Sequence, residues 1–197
     1  MNNDNLRPIV FSWLIKILNF NKSLKNIDKT ITKYIPIILD YITKNNLHLQ
    51  YQSLELLLSI SCSYSNALKG YEDSVVKALL SIANDQNNQL LLFIYENLVN
   101  LFDNITINTG LIEKSIEETV KILNSSKLFG NSLNPILNYI EKCSKILDSK
   151  KITSYLDNLI NLPFYNLNQA KAIAILAFSG GVDVQILNTM TEKVIAL

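Results

Sequence analysis

Few side chains in this sequence could do covalent or metal chemistry, and those few are far apart. His48 is the only histidine, and Cys62 and Cys143 are the only cysteines. A cysteine or serine triad would need His48 as its base, but His48 stands at the start of a predicted helix, which favours a surface or capping role. The three residues share no spacing typical of a metal site, which needs three or four converging ligands. We therefore predict no catalytic residue, no metal and no cofactor.

The cysteines and apolar runs also bear on the cellular compartment. Cys62 and Cys143 fall in apolar helical patterns, which predicts buried, unpaired thiols in a reducing compartment. The longest apolar runs, residues 90–95 and 172–178, are far shorter than the roughly 20 residues of a transmembrane helix. No secretory signal pattern opens the chain. We expect a protein of the cytoplasm, the nucleus or both.

Three glutamates form the densest acidic group, and four lysines form the one basic cluster. Glu113, Glu117 and Glu118 could act as an acid and base pair, but neighbouring Lys114 and Lys121 favour a solvated charged face. The basic cluster is placed at a helix C-terminus, where the helix dipole favours cations; a partner-binding patch is the alternative. Its members are Lys142, Lys145, Lys150 and Lys151.

Charge and aromatic placement argue against nucleic acid as a partner. The net charge is +1, and Arg7 is the only arginine, so neither a strong basic field nor arginine forks for phosphate are available. The aromatic residues occupy apolar helical positions, which favours core packing over base stacking. The clearest of them are Trp13, Phe93, Phe102, Tyr139 and Phe178.

Apolar residues recur at helical spacing along the whole chain and predict ten helices. Asp28 is a candidate cap for the second helix, and Pro36 should kink that helix or mark its true start. The seventh has Pro135 in its first turn, and the ninth should be the most buried. Apart from the seventh helix, the predicted helices span residues 6–18, 29–43, 47–64, 72–83, 89–104, 111–123, 153–161, 168–178 and 184–197.

All five glycines fall in the predicted joints: Gly70, Gly110, Gly130, Gly180 and Gly181. Helix pairs punctuated in this way at intervals of about forty residues are typical of a helical repeat array. We therefore predict an all-α fold, a right-handed α-solenoid of about five hairpins that forms one domain over residues 1–197. Neither end looks like the polar capping repeat that normally closes a solenoid, so we expect a fragment of a longer array.

The turns carry a resemblance to a known repeat family. Residues 36–46, PIILDYITKNN, followed by the helix of residues 47–60, resemble a HEAT repeat: a leucine-rich helix with a proline, a tight polar turn and a longer second helix. Residues 79–98 repeat the pattern, with Asp85 in the turn. The resemblance covers nearly the whole chain and implies a HEAT-repeat, armadillo-like solenoid.

Within HEAT proteins, the chain is similar to the middle of the cullin-associated, neddylation-dissociated family. The likeness is greatest at residues 47–68 (LHLQYQSLELLLSISCSYSNAL) and 168–187 (NQAKAIAILAFSGGVDVQIL). It implies a non-enzymatic scaffold that binds a cullin with its RING partner and regulates adaptor exchange on ubiquitin ligases. The matched positions are core positions, so no partner contact is assigned to a residue. Alternatives are a segment of a nuclear transport receptor or phosphatase scaffold and, more remotely, a HEAT-like hydrolase or glycosylase.

Overall fold

The computed structural model describes residues 6–20, 27–44, 46–83, 88–125, 133–160, 167–179 and 184–195. Every regular element in these ranges is helical, which confirms the all-α prediction. A short 3₁₀ helix, Ser65–Leu68, follows the fourth α-helix. The α-helices are α1 (Arg7–Phe20), α2 (Asp28–Thr32), α3 (Ile35–Thr43), α4 (Leu47–Ser63), α5 (Glu72–Ile82), α6 (Asn88–Asn104), α7 (Thr109–Ser125), α8 (Asn134–Ile146), α9 (Ser149–Ile160), α10 (Leu167–Ser179) and α11 (Val184–Ile195).

The ten predicted helical segments are all present, and the second is broken into α2 and α3. Pro36 lies in the first turn of α3, where a missing amide hydrogen costs little, so it marks a helix start as expected. The prediction that Asp28 caps the segment is wrong. Ile27 holds the N-cap position with helical angles, φ −73° and ψ −23°, and no side-chain cap bond forms. A cap needs extended backbone before the helix.

The start of α9 differs from its prediction and changes the meaning of the lysine cluster. The helix begins at Ser149, because the Asp148 carboxylate accepts a hydrogen bond from the Lys151 amide at 2.8 Å. Lys150 and Lys151 therefore lie in the first turn of α9, at the positive end of its dipole. The prediction that the whole cluster sits at a helix C-terminus is correct only for Lys142 and Lys145, near the end of α8.

Two of the five glycines lie within the described ranges. Gly70 occupies the joint before α5 with φ +85°, and its amide donates to the Glu72 carboxylate at 2.7 Å. Gly110 instead lies inside the first turn of α7, where its amide donates to Asn108 Oδ1 at 2.8 Å. The other three glycines, Gly130, Gly180 and Gly181, and the predicted turn residue Asp85 lie outside the described residues.

The chain divides into two compact units, Met1–Ile107 and Asn108–Leu197. In the first unit α4 is central and packs against α1, α3 and α6, while α3 also packs against α5. The faces that meet are apolar, with Ile42, Leu54, Leu57, Leu79 and Ile94 almost fully buried. This unit therefore consists of two helical hairpins, α3/α4 and α5/α6, with α1 laid on α4. The prediction of one array over residues 1–197 stays a prediction.

In the second unit α10 is the central helix and contacts α7, α8, α9 and α11. Its neighbours α7 and α8 pair with each other, and α9 contacts α11. Ala172 and Ile173 of α10 are completely buried, as expected for a helix enclosed by others. Within the described part of the chain, none of the helices has the length and apolar character needed to cross a bilayer.

Candidate interaction surfaces

The residues with catalytic potential do not converge in the structure. His48 is exposed in the first turn of α4, where Asn46, and not His48, caps the helix by accepting from the Leu49 amide at 3.2 Å. Cys62 lies fourteen residues further along the same helix, which is about 21 Å along the axis. The two side chains therefore cannot form a nucleophile and base pair. Among the described residues, no group of three or more histidines, cysteines and carboxylates could hold a metal ion.

The prediction that both thiols are buried is wrong for Cys62, which is exposed. The inner face of α4 carries Leu54, Leu57 and Ser61, all fully buried. Cys62 lies seven residues after the exposed Glu55 and so shares its outward side of the helix. The prediction was based on the apolar character of the cysteine side chain. Whether Cys62 is covered depends instead on its position in the helical period, which places it on the outward side of α4.

Cys143 is fully buried, as predicted, in a small polar network between α7 and α8. The Tyr139 hydroxyl donates to Ser115 Oγ at 2.8 Å, and Thr119 Oγ1 donates to the Ser115 carbonyl at 2.6 Å. Burial raises the pKa of the Cys143 thiol to about 12, against smaller opposing effects of hydrogen bonds with Tyr139 and Ser115. At neutral pH this sulfur is a protonated thiol, and only the thiolate is a good nucleophile or metal ligand.

The acidic group on α7 is a charged face paired with lysines, as predicted. Lys121 Nζ lies 3.2 Å from Glu117 and 3.3 Å from Glu118, and hydrogen bonds with both carboxylates raise the pKa of Lys121. Glu113 pairs with Lys151 of α9 at 3.1 Å, so this ion pair joins two helices of the second unit. Lys151 lies in the first turn of α9, where the helix dipole disfavours a positive charge. The Glu113 carboxylate supplies the opposite charge at this position.

The predicted burial of the aromatic residues is correct for one of five. Tyr139 is fully buried, while Phe93 and Phe102 are half-buried. Trp13 is 66% exposed and Phe178 is 75% exposed, so the prediction is wrong for both. Trp13 lies on α1 and Phe178 lies on α10. Each of these helices has apolar residues on more than one side, and only the sides that face a neighbouring helix are covered.

The half-buried Phe93 belongs to a groove between α4 and α6. Its ring lies 6.0 Å from that of Tyr51, centroid to centroid, with 36° between the ring planes. The groove has a volume of about 370 Å³ and is also lined by Leu92, Gln89 and Glu96. We call this set of five residues the α4/α6 groove. Its floor is apolar and open, and the exposed Glu96 gives one rim a negative charge.

A second surface lies on α1, which is apolar on two opposite sides. Phe11, Ile15 and Leu18 are buried where α1 packs on α4, and the Phe11 ring meets Tyr41 edge-on at 5.7 Å. At 100° per residue the remaining seven apolar positions lie on the rest of the helix surface: five of them (6, 9, 13, 17 and 20) are about 150–235° from the centre of the buried side, and positions 10 and 14 are on one flank of those five. We call them the α1 outer face, and all are exposed: Leu6, Ile9, Val10, Trp13, Leu14, Ile17 and Phe20.

Neither surface was predicted from the sequence, although the sequence of α1 does contain a pattern that indicates its outer face. The α1 outer face has apolar residues at positions 6, 9, 13, 17 and 20, a complete helical stripe in addition to the buried one. A helix with two such stripes needs two partners, and this was readable in principle. The α4/α6 groove left no such signal, because Tyr51 and Phe93 come together only when two hairpins stack.

A scan against models of protein families finds no match to the chain, and a search of curated proteins also finds no match.

Proposed function

We propose that this chain is a non-enzymatic, protein-binding scaffold built as a right-handed α-solenoid of HEAT-like hairpins. The observation that carries the proposal is the stacking of equivalent helices within each unit. We take α7/α8 and α9/α10 as the hairpins of the second unit. Second helices then pack on each other in both units (α4 on α6, and α8 on α10), and in the first unit the first helices also pack on each other (α3 on α5). Contacts between equivalent helices of successive hairpins are the defining pattern of a solenoid, whose long flanks serve as binding surfaces.

The α4/α6 groove is the partner-binding surface in this proposal. It spans second helices of successive hairpins, so a bound chain would cross both. Tyr51 and Phe93 offer amphipathic and apolar ring surfaces of the kind that anchor protein interfaces. Glu96 favours a basic side chain beside them, because its exposed carboxylate can pair with a lysine or arginine. The fitting ligand is a protein segment with an apolar side chain next to a basic one.

The partner we propose is a cullin with its RING subunit, on the strength of the resemblance at residues 47–68 and 168–187. The apolar residues of the first segment, such as Leu54 and Leu57, are buried. The resemblance therefore concerns the packing of the hairpin, and partner contacts fall to neighbours that are not fully buried, such as the half-buried Tyr51. In this role the protein would be intracellular, and binding would compete with substrate adaptors.

Capture of purified cullin–RING complex on the immobilised chain tests this assignment. Two forms of the cullin are compared, one unmodified and one conjugated to its ubiquitin-like modifier. The resemblance predicts that the unmodified complex is retained and that the modifier abolishes retention. Equal retention of the two forms, or retention of neither, would contradict the cullin assignment.

A further inference from the structure

Two aromatic rings from different helices border the same cavity. Tyr51 lies on α4 and Phe93 on α6, with 6.0 Å between the ring centroids and 36° between the ring planes. Both side chains line the α4/α6 groove, and both are only half-buried. One group of a ligand in the groove can therefore contact the two rings together.

The geometry of the rings suits an ammonium group. An aromatic face attracts a cation that lies within about 6 Å of the ring centroid, and a group that contacts both rings lies within this distance of both centroids. Because the ring planes are inclined, the space between them is a wedge. A rounded ammonium group fits a wedge, whereas the flat guanidinium group of arginine stacks on one ring at a time.

The charges of the two helices favour a cation in the groove. Together α4 and α6 contain three carboxylates, Glu55, Glu96 and Asp103, and no lysine or arginine, although the whole chain has a net charge of +1. Glu96 lines the groove one turn after Phe93, and the exposed Glu55 follows Tyr51 by one turn of α4. A cation over the rings therefore has an opposite charge beside it.

A quaternary ammonium group combines the positive charge and the apolar surface that the groove requires. Its methyl groups can contact Leu92 as well as the rings, and it has no N–H group that needs an acceptor. The ammonium group of an unmodified lysine is strongly hydrated and has three N–H donors, so it loses more hydration when it enters the groove. Trimethyllysine is the protein side chain that presents a quaternary ammonium group to aromatic rings.

We propose that the α4/α6 groove binds a trimethyllysine side chain of a partner protein. The ammonium group lies over the rings of Tyr51 and Phe93, and Glu96 supplies the counter-charge. This inference rests on the proposed role of the groove as a partner-binding surface, and it adds the chemistry of the bound side chain. Methylation of one lysine in the partner then strengthens the complex.

Fluorescence anisotropy of a labelled peptide, Gly-Leu-Lys-Gly-Gly, measures this preference on the full chain. Three forms of the lysine are compared: unmodified, trimethylated, and replaced by the neutral isostere in which carbon takes the place of the ammonium nitrogen. The trimethylated form should bind about tenfold more tightly than either of the others, because only this form has both the charge and the methyl surface. If it binds no more tightly than one of them, or does not bind at millimolar concentration, the proposal is overturned.

Free choline distinguishes a small-molecule ligand from a protein side chain. Choline should need a concentration at least about tenfold higher than the unlabelled trimethylated peptide to displace the labelled one, because it lacks the aliphatic stem and the neighbouring leucine. Displacement at equal concentration would overturn the assignment to a lysine of a partner protein.

Matched variants locate the site. Phe93→Leu keeps an apolar side chain but removes the ring, so the preference for the trimethylated peptide over its neutral isostere should fall to about twofold or less. Phe102→Leu is the control, because Phe102 is also a half-buried phenylalanine of α6 but does not line the groove, and this variant should keep the full preference. Tyr51→Phe should keep it too, since a phenyl ring remains.

Far-UV circular dichroism checks that these variants are folded. An undiminished preference in Phe93→Leu, or equal losses in Phe93→Leu and Phe102→Leu, would overturn the assignment to this groove. The outcome is also separable from that of the cullin test. Capture of the cullin complex without a preference for the trimethylated peptide overturns this inference alone, whereas the preference without capture contradicts only the cullin assignment.

Discussion

The two thiols differ in their access to solvent, although both lie on long helices. Cys62 is exposed on α4, whereas burial raises the pKa of the Cys143 thiol to about 12. Reaction needs an accessible thiolate. At pH 8 we therefore predict that a thiol reagent labels one cysteine per native chain, and that the second reacts only in denaturant. Cys62→Ser should abolish native labelling, and two reactive thiols in the native protein would contradict the described environment of Cys143.

Two serines of α4 provide a comparison of buried hydroxyl groups. Ser53 and Ser61 are both fully buried, but Ser61 Oγ donates to the Leu58 carbonyl at 2.9 Å while Ser53 Oγ has no hydrogen-bond partner among the described residues. An unpaired buried hydroxyl costs about 1–3 kcal/mol. We expect Ser53→Ala to raise the free energy of unfolding by about 1 kcal/mol. Ser61→Ala should gain less, and the reverse order in urea denaturation would be inconsistent with the structure.

At the scale of elements, the joint at Gly70 is conformationally demanding. Its φ of +85° is unfavourable for residues with a Cβ, although nothing within 4 Å would touch that atom. Gly70→Ala should therefore lower the free energy of unfolding by about 1–2 kcal/mol through backbone strain alone. Gly110→Ala is the control, because Gly110 lies in a helix and has no positive φ. There a Cβ would meet Asn108 Oδ1 at 3.3 Å, and the preference of helices for alanine, about 1 kcal/mol, should offset that contact and keep the variant within about 0.5 kcal/mol of wild type. Thermal denaturation of both variants measures the difference.

Helix positions were largely predictable because their signals are local. Pro36 and Pro135 lie in first turns, and the inward residues of α8, such as Tyr139 and Ile140, follow the helical period. The early start of α9 was missed because Asp148 was not recognised as a cap. The 3₁₀ helix after α4 was also missed, since a four-residue turn leaves no periodic pattern.

The candidate surfaces were less predictable because tertiary packing decides them. Phe11 and Trp13 are both aromatic and only two residues apart, yet α4 covers the first and leaves the second exposed. Likewise, Tyr51 and Phe93 become neighbours only through the stacking of α4 on α6. Periodicity shows which side of a helix is apolar, but it does not show which other helix of the chain covers that side.

At the scale of the whole molecule, the same arrangement recurs in both compact units. Each contains hairpins whose second helices stack, with α4 on α6 in one and α8 on α10 in the other. The buried polar residues Ser115 and Tyr139 hydrogen-bond to each other between helices. Exposed carboxylates such as Glu117 pair with lysines, and Tyr51 and Phe93 line the open α4/α6 groove. These features support the proposal of a scaffold whose working parts are its surfaces.

The most direct test of that claim is the dissociation constant of the unmodified cullin–RING complex for the wild type and three variants. Tyr51→Ala removes one wall of the α4/α6 groove, and Glu96→Lys reverses the charge on its rim. We predict that each weakens binding at least about tenfold, whereas Tyr34→Ala, an exposed tyrosine just before α3, changes it less than about twofold. Undiminished binding by both groove variants, or no binding by the wild type, would contradict the account.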